Sequence, residues 1–531
     1  MKHSIFLNKK NWCKYNLDGN TLYYKGFKRN NIDTFLKKII KIKSLKEATK
    51  YFNYLGENFA IILKKKKEVF AATDKIRSFP LLYYYNNKKF FLFEDYQSIK
   101  KVGFDKIIDK RQLLFFSLSG YTLDEGTLYK NIKQINQGSA IHFFKGKISK
   151  LQYYTFTKKI IKRKSLLESK LNNINEKIIL KLINSSNNKH IVIPLSAGYD
   201  SRFVLSGLKK YGYKNIITFS YGRVKNREAK IAETLSSTLE IPWHFIPYTN
   251  KKLKKIINSE EHKNYEAFSD SLTSIHFPQD FMAIKYLSEK NIIPKDSIIV
   301  NGQSGDYISG NHLPKIDYKK NTTKERLITF YILKHYSIWG YYYLKNQEKL
   351  FNLISAYVQT KMNNICKQSL YRIYENLEFT NRQCKYVING QRLYEFFDYE
   401  WRLPLWDSLY LDFWDTVPIE EKLNQKLYKQ TLHNTNWCGV WNNIPINPIN
   451  SFSFEISVLR LFLKGIFLFA GKKAWYSFEY KYLNYFIHPL CGYAQWDYTK
   501  IIKDKRKPKN SLSYEVDKYL KAKNINWENL I

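Results

Sequence analysis

Cysteine is scarce in this chain, with five in 531 residues, at Cys13, Cys366, Cys384, Cys438 and Cys491. The number is odd, no pair has CxxC spacing, and no HExxH occurs. That pattern excludes a disulfide framework and a motif-type zinc site, and reduced thiols in a cytoplasmic protein are expected. Acidic residues are in deficit, 46 against 88 Lys and Arg, which leaves a formal net charge of +42. Long hydrophobic runs are missing too. The opening Met1-Lys2-His3-Ser4-Ile5-Phe6-Leu7-Asn8 holds an apolar run of three residues, too short for a secretory signal. The most apolar later segment, Ile456 to Ala470, is interrupted by Arg460 and Lys464. It is too short and too charged to span a bilayer, and a packed helix is expected there.

What is present points to a folded chain. Hydrophobic residues make up 44% and aromatic residues 17%, enough for a large core spread over two or three domains. The positive charge would suit an anionic partner: nucleic acid, a membrane surface or a phosphorylated substrate. Lys, Asn, Ile, Tyr and Phe dominate together, however, with runs such as Lys64 to Lys67 and Tyr83 to Tyr85. These residues share A/T-rich codons, and no single segment concentrates the charge as a nucleic-acid-binding arm would. The basicity is therefore read as codon bias, and no nucleic-acid partner is favoured.

One stretch carries chemistry. Ile191-Val192-Ile193-Pro194-Leu195 reads as a buried strand, Ser196-Ala197-Gly198 as a tight polar loop, and Tyr199-Asp200-Ser201-Arg202 as the start of a helix. Free backbone N–H groups and the helix dipole make such a loop an anion site. A carboxylate beside it, Asp200, suits phosphate carried with Mg²⁺.

The chain around it divides by pattern. Residues 1 to about 157 look β-rich, with apolar runs at Asn58 to Leu63, Glu68 to Thr73, Leu81 to Tyr85, Phe90 to Phe93 and Ala140 to Phe144. Polar turns such as Asn86-Asn87-Lys88-Lys89 and Lys145-Gly146-Lys147 separate them, which predicts antiparallel hairpins. Helical patterns fall near Asn31 to Lys41, Lys110 to Leu118 and Leu166 to Leu182. From Ile191 strands and helices alternate. Strands are expected at Ile191 to Leu195, Ile216 to Phe219, Trp243 to Ile246 and Ile298 to Val300. Helices are expected at Ser201 to Tyr211, stopped by Gly212, and at Arg227 to Leu239. That alternation predicts a doubly wound parallel α/β sheet with ligands beyond the carboxyl ends of its strands, where the Ser196 and Asn301 loops lie.

Ser196-Ala197-Gly198-Tyr199-Asp200-Ser201 resembles the Ser-Gly-Gly-x-Asp-Ser loop of the N-type ATP pyrophosphatases, with Ala197 in place of one glycine. Thr218-Phe219-Ser220-Tyr221-Gly222 with Arg227-Glu228-Ala229 resembles the second strand and helix of the asparagine synthetase-like family. Asn301-Gly302-Gln303-Ser304-Gly305-Asp306-Tyr307-Ile308-Ser309-Gly310 resembles its Gly-Glu-Gly-x-Asp-Glu-x-x-Gly-Gly loop, with Gln303 and Tyr307 where acids stand. Glu400-Trp401-Arg402-Leu403-Pro404-Leu405-Trp406-Asp407 and Lys429-Gln430-Thr431-Leu432 resemble its Glu-x-Arg-x-Pro-Phe-Leu-Asp and Lys-x-x-Leu motifs. The resemblance implies ATP and Mg²⁺. Asp200 and Asp306 would ligate the metal, and Ser196, Gly198 and Ser201 would hold the β,γ-phosphates. Leu195, Tyr221, Asn301 and Gly302 would line the nucleotide. Lys429, with Lys426 as a rival, and Glu400 would be catalytic.

The front of the chain resembles the class II glutamine amidotransferase domain of the same family. Gly56-Glu57-Asn58-Phe59-Ala60-Ile61, Asp74-Lys75-Ile76-Arg77-Ser78-Phe79-Pro80-Leu81-Leu82-Tyr83-Tyr84 and Thr127-Leu128-Tyr129-Lys130-Asn131-Ile132 carry that likeness. Lys2 stands where that domain has its nucleophilic Cys, so the likeness implies a degenerate domain without glutaminase activity. The expected organisation is a degenerate α+β domain over residues 1–157. An ATP-pyrophosphatase domain over 165–531, with a helical C-terminal part, would follow it. The expected reaction is AMP-forming ligation of a small-molecule or sugar carboxylate to ammonia or an amine, in a possible homodimer. The alternative is a tRNA-modifying enzyme built on the same ATP loop.

Overall fold

The structure is a computed structural model, and it describes residues 2–7, 12–27, 32–55, 58–86, 89–156, 166–318, 320, 322–362, 369–446, 454–467, 469–487 and 496–531. Gly56, Glu57, Asn31, Asn87, Lys88, the 157–165 stretch, Cys366 and Cys491 lie outside the described residues, with whatever the sequence suggested for them.

Two sheets are built from the first ten strands: β1 (Lys2–Phe6), β2 (Cys13–Leu17), β3 (Asn20–Gly26), β4 (Phe59–Lys64), β5 (Glu68–Thr73), β6 (Leu82–Tyr85), β7 (Lys89–Phe93), β8 (Ile132–Gln134), β9 (Ser139–Phe144) and β10 (Lys147–Gln152). One has the order β1-β7-β6-β8 and the other β10-β9-β5-β4-β3-β2. Pairing is antiparallel except for β1, which runs parallel to β7. Side chains alternate across each strand, so each sheet presents two faces. Ala60, Ile62, Val69 and Ala71 on the larger sheet share one core with Leu81, Tyr83, Phe90 and Leu92 beside the smaller. The Phe90 and Phe143 rings stack there at 4.1 Å. The opposite face of the larger sheet, Ile61, Leu63, Phe70 and Ala72, packs with Leu36, Ile39 and Ile40 of helix Ile32–Ile40 and with Phe52 of helix Leu45–Leu55. Leu82, Tyr84, Phe91 and Phe93 pack with helix Lys110–Ser119. Apolar cover on both faces explains why β4 and β5 read as continuous apolar runs rather than alternating ones.

Arg77 adopts φ +57°, a left-handed backbone that glycine takes more readily. Its guanidinium is buried and donates to Cys384 O at 3.2 Å and Thr273 Oγ1 at 3.0 Å, bonds that offset the left-handed backbone.

The third sheet has five strands: β11 (Ile191–Pro194), β12 (Ile216–Gly222), β13 (Trp243–Pro247), β14 (Ile298–Val300) and β15 (Glu400–Arg402). Their order is β13-β12-β11-β14-β15, all parallel. The chain steps outward through β12 and β13, then returns to the other side of β11, so the strand order reverses at β11. The predicted strands at Ile216, Trp243 and Ile298 and the helices Tyr199–Lys210 and Arg227–Thr238 are present. Gly212 takes φ +71° after the first of these helices. The core is continuous from Ala60 and Ile62 through Ile191, Val192 and Ile298 to Trp401, Trp414 and Trp441.

Several elements differ from expectation. β1, β2, β3, β8, β10, β15 and helix Leu45–Leu55 were not anticipated. β8 and β15 are three residues long, below the length at which periodicity registers. The helix expected to pack at Ile456 to Ala470 forms as Phe454–Ile466, but Val458, Leu461, Phe462 and Ile466 are exposed. Among the described residues no helix is long and apolar enough to cross a membrane.

Candidate functional site

β11 ends at Pro194 and the chain turns tightly into the helix Tyr199–Lys210, with Gly198 as its extended N-cap. Ser201 organises the turn. Its Oγ accepts the Ser196 N–H at 3.1 Å and lies 3.1 Å from Ser196 Oγ, which in turn accepts the Gly198 N–H at 3.2 Å. Asp200 lies in the first helical turn. Buried Arg202 anchors the same turn from behind, donating to Val440 O, Ile444 O and Pro445 O at 2.9, 2.8 and 2.6 Å.

A second loop follows β14, at the carboxyl end of the adjacent strand. The two loops are in backbone contact because two residues of the second are glycine. A Cβ on Gly302 would meet Asp200 C and Ser201 N at 2.7 Å, and one on Gly305 would meet Asp200 Oδ1 at 2.5 Å. The Asp306 N–H donates to Asp200 Oδ2 at 3.0 Å, and Tyr428 OH donates to Asp200 Oδ1 at 3.0 Å. The structure thus brings Asp200 and Asp306 together. Burial and the neighbouring Asp306 charge push the Asp200 carboxyl above the usual carboxylate range. Asp306 goes the other way: burial works against its charge, but His312 outweighs burial and holds it low.

His312 and Glu378 belong to this neighbourhood and were missed. His312 Nε2 lies 3.1 Å from Asp306 Oδ2, and its Nδ1 pairs closely with Glu378. Burial opposes the imidazolium, but the Glu378 and Asp306 carboxylates raise it to about 9. Glu378 opens the π-helical segment Glu378–Val387 and also meets His335 Nε2 at 3.2 Å. No motif spacing links 306, 312 and 378, so only the fold joins them. Gln303 and Tyr307, in place of two acids, are engaged elsewhere: Gln303 Oε1 accepts from Gln391 at 2.8 Å, and Tyr307 OH donates to Glu375 O at 2.8 Å.

Of the two lysine candidates, Lys429 is half-buried beside the first loop, its ammonium 5.6 Å from the centre of the Tyr199 ring. Burial and the Lys315 charge lower its pKa. Lys426 is exposed and pairs with Glu421 at 3.2 Å. Tyr199 itself sits in an aromatic group with Tyr428, His433 and Trp441.

Leu195, Tyr221 and Asn301 line the same end of the sheet, and each already has partners. The Leu195 N–H donates to Phe219 O at 2.8 Å and its carbonyl accepts from Ser220 Oγ at 2.7 Å. Tyr221 OH pairs closely with Asp280, which also accepts from Tyr394 OH at 2.6 Å, and Asn301 Nδ2 reaches Tyr394 OH at 3.2 Å.

Glu400 requires a correction, because the structure does not bring it to this site. It pairs with Ile298 at the start of β14, the amino end of the sheet. Its carboxylate meets Lys189 at 2.9 Å and Arg402 at 3.0 Å, and those charges outweigh burial and hold its pKa low. Strand direction is the physical reason: in a parallel sheet the first residue of a strand is remote from the loops that follow its neighbours. Glu400→Gln is expected to change any activity of the Asp200 site less than about threefold, as surface changes away from a site do; steady-state kinetics checks this.

No family model matches this chain, and no curated protein matches it. Solved structures give faint likenesses. The glutamine phosphoribosylpyrophosphate amidotransferase from B. subtilis, complexed with ADP and GMP, is 9% identical over 46% of this chain and 74% of that one, with a TM-score of 0.19. A structure of the allosteric regulatory enzyme of purine biosynthesis is 9% identical over 45% of this chain and 62% of that one, at 0.20. The NH3-dependent NAD synthetase from Campylobacter jejuni, in complex with nitrate, is 16% identical over 42% of this chain and 96% of that one, at 0.22. At such TM-scores none of these carries an argument about chemistry.

Proposed function

We propose that this chain is an ATP-dependent ligase that activates a carboxylate as an acyl-adenylate, releases pyrophosphate, and passes the acyl group to ammonia or an amine. In this reading residues 1–157 form a degenerate amidotransferase-like domain and residues 165–531 the synthetase domain. The observation that carries it is the meeting of Asp200 and Asp306, from two loops at the carboxyl ends of adjacent parallel strands, with the Asp306 N–H on Asp200 Oδ2. Two carboxylate-bearing residues brought together at the strand ends fit Mg²⁺, which takes one or two carboxylates plus phosphate oxygens. Bound there, the ion would neutralise charge on the pyrophosphate.

The chain's own groups supply the rest. The Ser196–Ser201 turn and the helix N-terminus bind the β,γ-phosphates through backbone N–H groups. Lys429 holds positive charge where negative charge gathers on the α-phosphate, and partial burial strengthens it there. His312 keeps Asp306 ionised, and Glu378 in turn keeps His312 charged. Positioning and electrostatics do the work, so no general base is required of the chain.

The test is pyrophosphate release from ATP by the purified protein across a panel of carboxylates and amines. Formation of AMP and pyrophosphate with one carboxylate supports the reading; release of ADP and phosphate with every member of the panel refutes it. The two lysines give a sharper check. Lys429→Ala is expected to lower the rate of carboxylate activation about 10²-fold, the scale of losing one electrostatic stabiliser. Lys426→Ala, in the same assay, is expected to stay within about threefold.

A further inference from the structure

A second cluster of ligating side chains stands apart from the Asp200 loop, between the helix Glu260–Phe268 and the C-terminal helix Ser511–Ala522. His262 and Glu266 are four residues apart on the first helix, so they share a face. His276 comes from the segment after it. His262 and His276 are both buried, and His262 Nδ1, His262 Nε2 and His276 Nε2 make no hydrogen bond. One ligand atom from each of His262, Glu266 and His276 lies within 4.8 Å of the others. His262 Nδ1 is 3.4 Å and His276 Nε2 is 3.6 Å from Glu266 Oε1, while Glu515 Oε2 on the C-terminal helix is 3.8 Å from His276 Nε2.

Those separations are long for hydrogen bonds and right for the edges of a coordination polyhedron. Metal–ligand bonds of about 2.1 Å arranged tetrahedrally give ligand–ligand edges of about 3.4 Å. We infer that His262, Glu266 and His276 bind a divalent transition metal ion, and that Glu515, whose Oε2 lies 3.8 Å from His276 Nε2 but outside that close group, swings in as the fourth ligand and ties the C-terminal helix to the body of the protein. Two imidazoles and two carboxylates suit Zn²⁺ and exclude Mg²⁺ or Ca²⁺, which take oxygen ligands alone. The two carboxylates also balance the ion's charge. Lys518 Nζ donates to Glu266 Oε1 at 2.7 Å. A carboxylate oxygen has two lone pairs, so this bond leaves one for the metal and orients the ligand from outside. A cavity of about 300 Å³, lined by Glu266, His276, Glu515 and Lys518 among others, gives the ion a way in.

The probe is Co²⁺, which reports tetrahedral nitrogen–oxygen coordination by visible absorption. The 531-residue chain, carrying Asp200→Asn so that the other carboxylate pair cannot contribute, is stripped with a chelator and titrated. The expected result is a band that saturates at one Co²⁺ per chain, is displaced by Zn²⁺, and accompanies a rise in melting temperature. His262→Gln or His276→Gln should abolish it, and Glu515→Gln should weaken affinity about 10–100-fold. Failure of the parent protein to reach one equivalent overturns the inference. So does a band that survives in either folded histidine variant. Should both histidine variants misfold, Glu515→Gln decides: unchanged affinity removes Glu515 from the set and with it the tie to the C-terminal helix. The ligase reading fails or stands independently, because this assay measures no turnover.

Discussion

Asp200→Asn is expected to abolish ATP-dependent pyrophosphate release, by about 10³-fold or more, while making the metal-free protein more stable. The loss follows from removing one of two oxygen ligands at the point where the pyrophosphate charge must be balanced. The gain follows from the repulsion already present. Burial and Asp306 raise the Asp200 carboxyl above its ordinary range, so in the absence of a cation the ionised form is disfavoured in the folded state. The folded state binds the Asp200 proton more tightly than the unfolded chain does. Stability is therefore greatest below the unfolded carboxyl pKa and declines as pH climbs from there towards the raised folded value. Asn carries no proton to lose. Its advantage over wild type is absent at acid pH and appears on the alkaline side, with a rise of about 1–3 °C in melting temperature for each kcal/mol in a chain this large. Calorimetry across pH, beside the pyrophosphate assay, checks both. A variant that is inactive and also less stable at pH 8 would point to a packing role for Asp200 and remove the charge argument.

Gly302→Ala is expected to cost about 3 kcal/mol or more and to remove activity with it. A single added methyl would lie 2.7 Å from Asp200 C and Ser201 N and 2.8 Å from Asp200 O, all backbone atoms at the start of the helix. Backbone cannot swing aside as a flexible side chain can, so the two loops must part, and overpacking of this kind costs roughly 1–3 kcal/mol even where neighbours give way. Parting them also separates the Asp306 N–H from Asp200 Oδ2. Gly212→Ala is the control. Gly212 has open space around it but φ +71°, so only the left-handed backbone penalty of roughly 1–2 kcal/mol applies, without effect on the site. Urea denaturation of both variants checks the ranking, which reverses if loop apposition is soft.

Much of the parallel sheet was legible in the chain. Ile191-Val192-Ile193 is buried on both faces and reads as a continuous apolar run, and the Ser196-to-Ser201 turn that follows carries small and polar residues fit for nothing but a tight turn into a helix. Asp306 was singled out by the resemblance of the Asn301–Gly310 loop to a family motif, the loop itself being placed by the apolar Ile298–Val300 run before it. The hairpins β4–β5 and β6–β7 were legible because polar turns punctuate them. Local pattern reaches that far, since strand, turn and helix start are decided within a few residues.

Partners supplied from far along the chain were not legible. His312 and Glu378 are 66 residues apart, and nothing in their spacing distinguishes them from any other histidine and glutamate. The same holds for Glu515 beside His276, and it is why a chain without a zinc spacing motif can still assemble a metal-ligand set. Glu400 went the other way: its motif suggested a place at the site, and the direction of β15 put it at the wrong end of the sheet. Lys429 was preferred to Lys426 on the Lys-x-x-Leu resemblance; the structure adds that Lys429 lies by the Tyr199 ring while Lys426 pairs with Glu421. The sequence alone determined where strands end and which residue types stand at those ends, because burial and turn chemistry are local. The tertiary structure alone decided which ends meet, because that depends on strand order, strand direction and the two glycines that let one loop lie against another.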